Sequence, residues 1–178
     1  MTSPGLDKGI IQVYTGDGKG KSTAAFGLAV RAAGHGLHSC IVQFMKAGTY
    51  GENKMFAGLQ PQIQCFAFGR EGYVYKGKSA PEDRARAKEG LDFAREIMFN
   101  GKIDILILDE LNVALYFDLL PLEDVLDFLN QKPDRVELVL TGRAAPPEII
   151  EKAQLVTEMR MIKHPYQEGI LSRKGIEF

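Results

Sequence analysis

Lys21 and Ser22 end the run T-G-D-G-K-G-K-S (Thr15 to Ser22), in which glycines stand at 16, 18 and 20 and a second lysine at 19. An ammonium and a hydroxyl placed where a glycine-rich turn enters a helix are the parts of a phosphate cradle. Backbone N–H groups surround anionic oxygens, lysine offsets charge, and the hydroxyl meets magnesium. The usual pattern is G-x-x-x-x-G-K-[ST]. Gly20, Lys21 and Ser22 fit it, but Thr15 stands where the opening glycine belongs, so the turn is tighter. Alternate glycines permit positive φ values and close backbone approach to an anion. The chemistry is nucleotide or polyphosphate binding, with the reaction left open.

A second group sits in I-L-I-L-D-E (Ile105 to Glu110), four apolar residues followed by Asp109 and Glu110. This reads as two carboxylates at the exposed end of a central strand, where one can meet the magnesium that Ser22 touches. Arg143 in L-T-G-R has a fork of donors able to clamp a phosphate from the same sheet edge. Lys163, His164 and Arg173 follow the last apolar run. No C-x-x-C pair and no Ser-His-Asp constellation is present, so hydrolysis by a nucleophilic side chain is not expected.

The elements that must position these residues are legible in the hydrophobic pattern. G-I-I-Q-V-Y (9–14) is a strand, and Ala24, Leu28 and Ala32 recur at helical spacing before G-H-G breaks the helix. Further strands are expected at 38–45, 62–68, 102–110, 135–142 and 155–162. The stretch 79–101 opens with Ser79 and Glu82 at capping-box spacing and lines Ala87, Leu91, Ala94 and Met98 along one face. Shorter helices are expected at 121–131 and after Pro146, while 45–61 and 69–81 resist regular assignment. Strands separated by helices imply an α/β fold with a mostly parallel sheet, whose ligands bind at the carboxyl ends of the strands.

The chain has 178 residues, 45% apolar and 25% charged, with a formal net charge of -1, which suits one domain spanning 1–178. Near-neutral charge gives no general attraction to nucleic acid or anionic lipid. Cys40 and Cys65 lie far apart in apolar runs and read as two buried thiols. With no signal-peptide pattern and no apolar run of membrane-spanning length, the expectation is a cytoplasmic protein with no membrane partner.

Taken together, T-G-D-G-K-G-K-S-T-A-A-F-G with R-A-A-G-H-G after it, V-Q-F-M-K, L-D-E-L-N, L-P-L-E-D-V, L-T-G-R and the tail E-M-R-M-I-K-H-P-Y-Q-E-G-I-L-S-R-K-G-I-E-F resemble the ATP:corrinoid adenosyltransferases, over nearly everything from Gly9 onward. The resemblance implies a three-layer, RecA-like phosphate-loop fold, a homodimer, and Mg-ATP bound with its triphosphate reversed relative to ordinary NTPases. In that family the cobalt of a reduced corrinoid, cob(I)alamin or a cobinamide-type relative, attacks the 5′-carbon of ATP and releases tripolyphosphate. A reductase supplies the electron.

Carried onto this chain, the resemblance assigns ATP contacts to Gly16, Asp17, Gly18, Lys19, Gly20, Lys21, Ser22 and Thr23, with Arg31 as a further contact. Magnesium falls to Ser22 and Glu110, and catalysis to Lys21 and Glu110. The family's corrin-facing aromatics follow the third strand. The chain has no tryptophan, so Phe68, Tyr73 or Tyr75 would take that place. Only M-T-S-P-G-L-D-K precedes the first strand, whereas some members carry a long N-terminal arm over the corrinoid, so a different corrinoid affinity is expected. Two other readings of the residues stay open: a small phosphate-loop kinase or ATPase, and a nucleotide-dependent binding module.

Overall fold

Strands β2 (Ser39–Phe44) and β4 (Ile105–Asp109) are buried along their whole length, as central strands covered on both faces must be. In the computed structural model, which describes residues 5–48, 50–70, 72, 77, 79–100 and 102–177, they pair with each other inside a six-stranded sheet. The remaining strands are β1 (Ile11–Thr15), β3 (Ile63–Phe68), β5 (Glu137–Thr141) and β6 (Leu155–Glu158). The order is β3-β2-β4-β5-β1-β6, and every pairing is parallel. The helices are α1 (Lys21–Ala33), α2 (Gly51–Ala57), α3 (Pro81–Phe99), α4 (Leu111–Tyr116), α5 (Leu122–Asn130) and α6 (Pro147–Lys152). A 3₁₀ turn covers Pro165–Glu168.

Alternation along the strands divides the core into two layers. Cys40, Val42, Phe44, Leu106, Leu108, Leu138 and Leu140 pack toward α3, α4, α5 and α6. Ile41, Ile105, Ile107 and Val139 pack toward α1 and α2. Helices on both faces of a parallel sheet make the three-layer α/β arrangement expected of a RecA-like fold. No helix among the described residues is long and apolar enough to cross a membrane.

Several local expectations change. Helix α1 buries Ala25, Ala29 and Ala32, while Ala24 is exposed and Leu28 only half-buried. Small residues in the inward row let the helix lie close to the sheet. The cap of α3 is made by Ala80 and Asp83, one residue beyond Ser79 and Glu82. Pro81 holds Ala80 extended, and the Asp83 carboxylate accepts the Ala80 N–H at 2.8 Å. Asp83 also accepts from Arg70, tying the chain beyond β3 to the start of α3. Within 45–61 a short helix, α2, forms. Most of 71–78, with Tyr73 and Tyr75, lies outside the described residues. Strand β6 stops at Glu158, opposite the last residue of β1: Met159 N–H makes the final ladder bond to Thr15 O at 2.8 Å, and Met159 O then accepts the N–H of Gly18 in the turn after β1 at 2.7 Å.

Candidate active site

The carboxyl ends of β1, β2, β4 and β5 open into one cleft of about 530 Å³. Residues 17–23 line it from the β1–α1 turn, Lys46 from the end of β2, Glu110 from the end of β4 and Arg143 from the end of β5. Ser22 and Thr23 stand in the first turn of α1, where free backbone N–H groups and the helix dipole favour an anion. Gly20 and Gly16 adopt φ of 120° and 95°, the region that favours glycine. Gly18 does not. A Cβ there would lie 2.7 Å from Met159 O and 2.8 Å from Arg160 C, so this glycine admits the chain's own backbone rather than an anion. The three alternate glycines thus serve two needs.

Lys21 folds back over the loop, its Nζ donating to Gly16 O at 2.7 Å and Gly18 O at 2.6 Å. Burial pushes its ammonium below the usual lysine range and Arg143 adds to that push, against the pull of Glu110 and Asp17. Lys19 points elsewhere, donating to Ile176 O at 2.8 Å and Glu177 Oε1 at 3.0 Å in the C-terminal tail.

The acidic pair is split by the strand end. Asp109, expected at an exposed end, is fully buried on the face of β4 shared with Ile105 and Ile107. It accepts from the Thr141 hydroxyl at 2.8 Å, from Lys46 Nζ at 2.8 Å and from Gln43 Nε2 at 3.3 Å. Glu110 takes a left-handed turn, φ 63°, and its N–H donates to Thr141 Oγ1 at 3.0 Å. A non-glycine residue held there stores about 1–3 kcal/mol. The turn starts α4 and presents the Glu110 carboxylate to the cleft, where burial and then Asp109 hold its carboxyl above the usual range, with Lys46, Lys21 and Arg143 opposing.

Lys46 is the site residue that sequence reasoning passed over. Met45 before it has φ 60°, a second strained turn at a strand end. The Lys46 ammonium reaches Asp109 and, at 3.6 Å, Glu52. The rings of Tyr50 and Phe26 lie 5.1 and 5.8 Å from it. Burial pulls this ammonium down, but Asp109, Glu110 and Glu52 together hold it above the ordinary lysine value. A lysine just past a strand that reads S-C-I-V-Q-F was the available signal. From Glu52 the contacts run through Gln43 to Asn53 and the Cys65 thiol. Cys65 is therefore half-buried on a polar network, and only Cys40 is a fully buried thiol. Burial pushes both thiols up to about 12.

Other expected residues fall outside the cleft wall. Arg31 lies in the last turn of α1, about 15 Å along the helix from Lys21 at 1.5 Å per residue, within electrostatic reach of Tyr14. Phe68 closes β3 with its ring 5.4 Å from that of Phe93 and packs against the α3 layer. His164 does line the cleft. Its Nδ1 accepts the Tyr166 N–H at 3.2 Å, so that nitrogen caps a turn.

A magnesium ion suits the donors present. The Ser22 hydroxyl and the Glu110 carboxylate, two groups with hard oxygen donors, line the same cleft, and magnesium takes few protein ligands, completing its shell from phosphate and water.

A family model described as "ATP:corrinoid adenosyltransferase BtuR/CobO/CobP" matches residues 7–178. Among curated relatives, a corrinoid adenosyltransferase of Sinorhizobium sp is 39% identical over 174 residues, covering 97% of this chain and 81% of the relative. One of Pseudomonas aeruginosa is 37% identical over 173 residues, covering 97% and 85%. One of Escherichia coli K12 is 37% identical over 174 residues, covering 97% and 87%.

Proposed function

This chain belongs to the ATP:corrinoid adenosyltransferase family and is a transferase, and we propose that its cleft seats ATP so that the cobalt of a reduced corrinoid attacks the 5′-carbon. The cobalt(I) centre supplies the electron pair of the new cobalt–carbon bond. The 5′-carbon–oxygen bond breaks, its pair leaves with the oxygen, and tripolyphosphate departs. The nucleophile is the corrinoid, so the protein needs neither an activated serine nor a base.

What this chain contributes is position and charge. Residues 19–23 hold the polyphosphate through backbone N–H groups and the start of α1, while Gly16 and Gly18 shape the turn against the Met159 backbone. Lys21 leaves the Gly16 and Gly18 carbonyls for the anion it matches better, and Arg143 adds a second cation. Magnesium, held by Ser22 and Glu110, would offset charge on the leaving group. Lys46 and Asp109 fix the wall from which Glu110 projects. A single domain, a homodimer, a cytoplasmic setting and an electron-donating reductase belong to the same reading, as does a corrin face served by aromatics near the end of β3.

The observation that carries the reading is the meeting of Lys21, Ser22, Glu110 and Arg143, from three strand ends, in one cleft. The test is product identity. With Mg-ATP and chemically reduced cobalamin, the expected products are light-sensitive adenosylcobalamin and tripolyphosphate in equal amounts. ADP or orthophosphate as the stoichiometric product would instead mean attack on phosphorus, the kinase or ATPase reading.

A further inference from the structure

The reaction leaves unused the end of the chain, which forms part of the same cleft. Gly175, Ile176 and Glu177 line it beside Lys19. The Glu177 carboxylate is held by three kinds of donor. Its Oε2 accepts the Arg173 backbone N–H at 2.7 Å and Nε at 3.3 Å. Its Oε1 accepts Arg173 Nη2 at 3.0 Å and Lys19 Nζ at 3.0 Å. Backbone N–H, guanidinium fork and ammonium converging on two oxygens are a receptor for an oxyanion. The depression of the Glu177 carboxyl to about 2, by Arg173 and then Lys19, agrees with that geometry.

The occupant is a carboxylate of the chain itself, and its attachment is exchangeable. The side chains of Lys19 and Arg173 are 49% and 53% exposed, and ion pairs so exposed to water contribute little. Lys19 is also the central lysine of the loop read above as the polyphosphate cradle. An incoming polyphosphate therefore meets a cation already engaged, and carries more charge than the group engaging it.

We propose that Lys19 and Arg173 form an oxyanion subsite for the outer phosphate oxygens of a bound polyphosphate, and that Glu177 fills this subsite in the substrate-free protein and gives it up on binding. The proposal rests on the reading of residues 16–23 as a polyphosphate cradle. On release, the Gly175–Glu177 turn is detached from Lys19, so binding of the anion and movement of the tail are one event.

The test is calorimetric titration of inorganic tripolyphosphate into the full chain and its variants. Glu177→Gln keeps the side-chain volume and removes the competing charge. It is expected to tighten tripolyphosphate binding about two- to fivefold, the range that loss of one exposed ionic competitor allows. Adding Arg173→Gln to Glu177→Gln is expected to weaken binding again, because the competitor is already gone and only a subsite donor is lost. Equal or weaker binding by Glu177→Gln, with an unchanged melting temperature, overturns the competition. No effect of Arg173→Gln in that background overturns the subsite. If the parent binds neither tripolyphosphate nor ATP, the cradle reading fails instead, and that outcome is distinct from both.

Discussion

Two groups of charges border the cleft and are built in opposite ways. Around Lys46, the partners are Asp109, fully buried, and Glu52, and the bond to Asp109 spans the ends of β2 and β4. Around Lys19, the partners are Glu177 and a tail carbonyl, and the ions face water. The first group joins the ends of β2, β4 and β5 through Lys46, Asp109 and Thr141, so it sets where Glu110 stands and does not exchange with solvent ions. The second can be replaced by any better anion. A site that must release a highly charged product needs both: a frame that stays and a contact that yields.

The largest effect should come from breaking the frame. Asp109→Ala takes from the mostly buried Lys46 ammonium its closest partner, leaving Glu52 at 3.6 Å and the field of Glu110, and unfolding by urea should show a loss of about 3–5 kcal/mol. Lys46→Met with Asp109→Asn removes both charges and should recover most of that loss while leaving adenosyl transfer impaired. A mild Asp109→Ala would mean that water reaches the pair, and the contrast with Lys19 would disappear.

Next is Lys21, which belongs to neither group. Its ammonium donates to the Gly16 and Gly18 carbonyls. Lys21→Ala should lower adenosyl transfer by a factor on the order of 100 or more, through loss of charge at the leaving polyphosphate. Circular dichroism should be unchanged. Activity equal to the parent would remove the loop from the reaction.

Smaller, and a test of how the tail reaches the loop, is Gly18→Ala. The new Cβ would press on backbone atoms of Met159 and Arg160, so a destabilisation of about 1–3 kcal/mol is expected. Gly27→Ala, in open space on α1, should instead stabilise by about 0.5–1 kcal/mol. Equal melting temperatures for the two variants would show that the 159–160 backbone can move off the loop freely.

The sheet was legible because buried parallel strands read as continuous apolar runs. I-L-I-L-D lies where its pattern put it, with its start moved from Lys102 to Ile105. Residues 17–23 were legible because a phosphate cradle is local in sequence. Lys46 was not, because its role depends on Asp109 on a neighbouring strand, and β2–β4 register is not written in either segment. The burial of Asp109 is hidden from the sequence for the same reason: a carboxylate ending a strand reads as exposed unless its partners, Thr141 and Lys46, are known to lie beside it. Gly18 carried an ambiguous signal, since a glycine needed for an anion and one needed for the chain's own backbone read alike.

The smallest effect should come from the yielding contact, and it is read best by titration. Glu177 has its carboxyl drawn down to about 2 from an ordinary 4.5 by Arg173 and Lys19, so the contact is complete above the ordinary value and is lost as pH falls through about 2. Carbon-detected NMR of the Glu177 carboxyl should show the depressed value in the parent and a rise toward 4.5 in Arg173→Gln, with little change in melting temperature. Saturating tripolyphosphate should produce the same rise in the parent, because the anion takes the donors that hold the carboxylate down. A carboxyl that stays depressed with the anion bound would place Glu177 with the fixed frame rather than the yielding contact, and the two sides of the cleft would then be built alike.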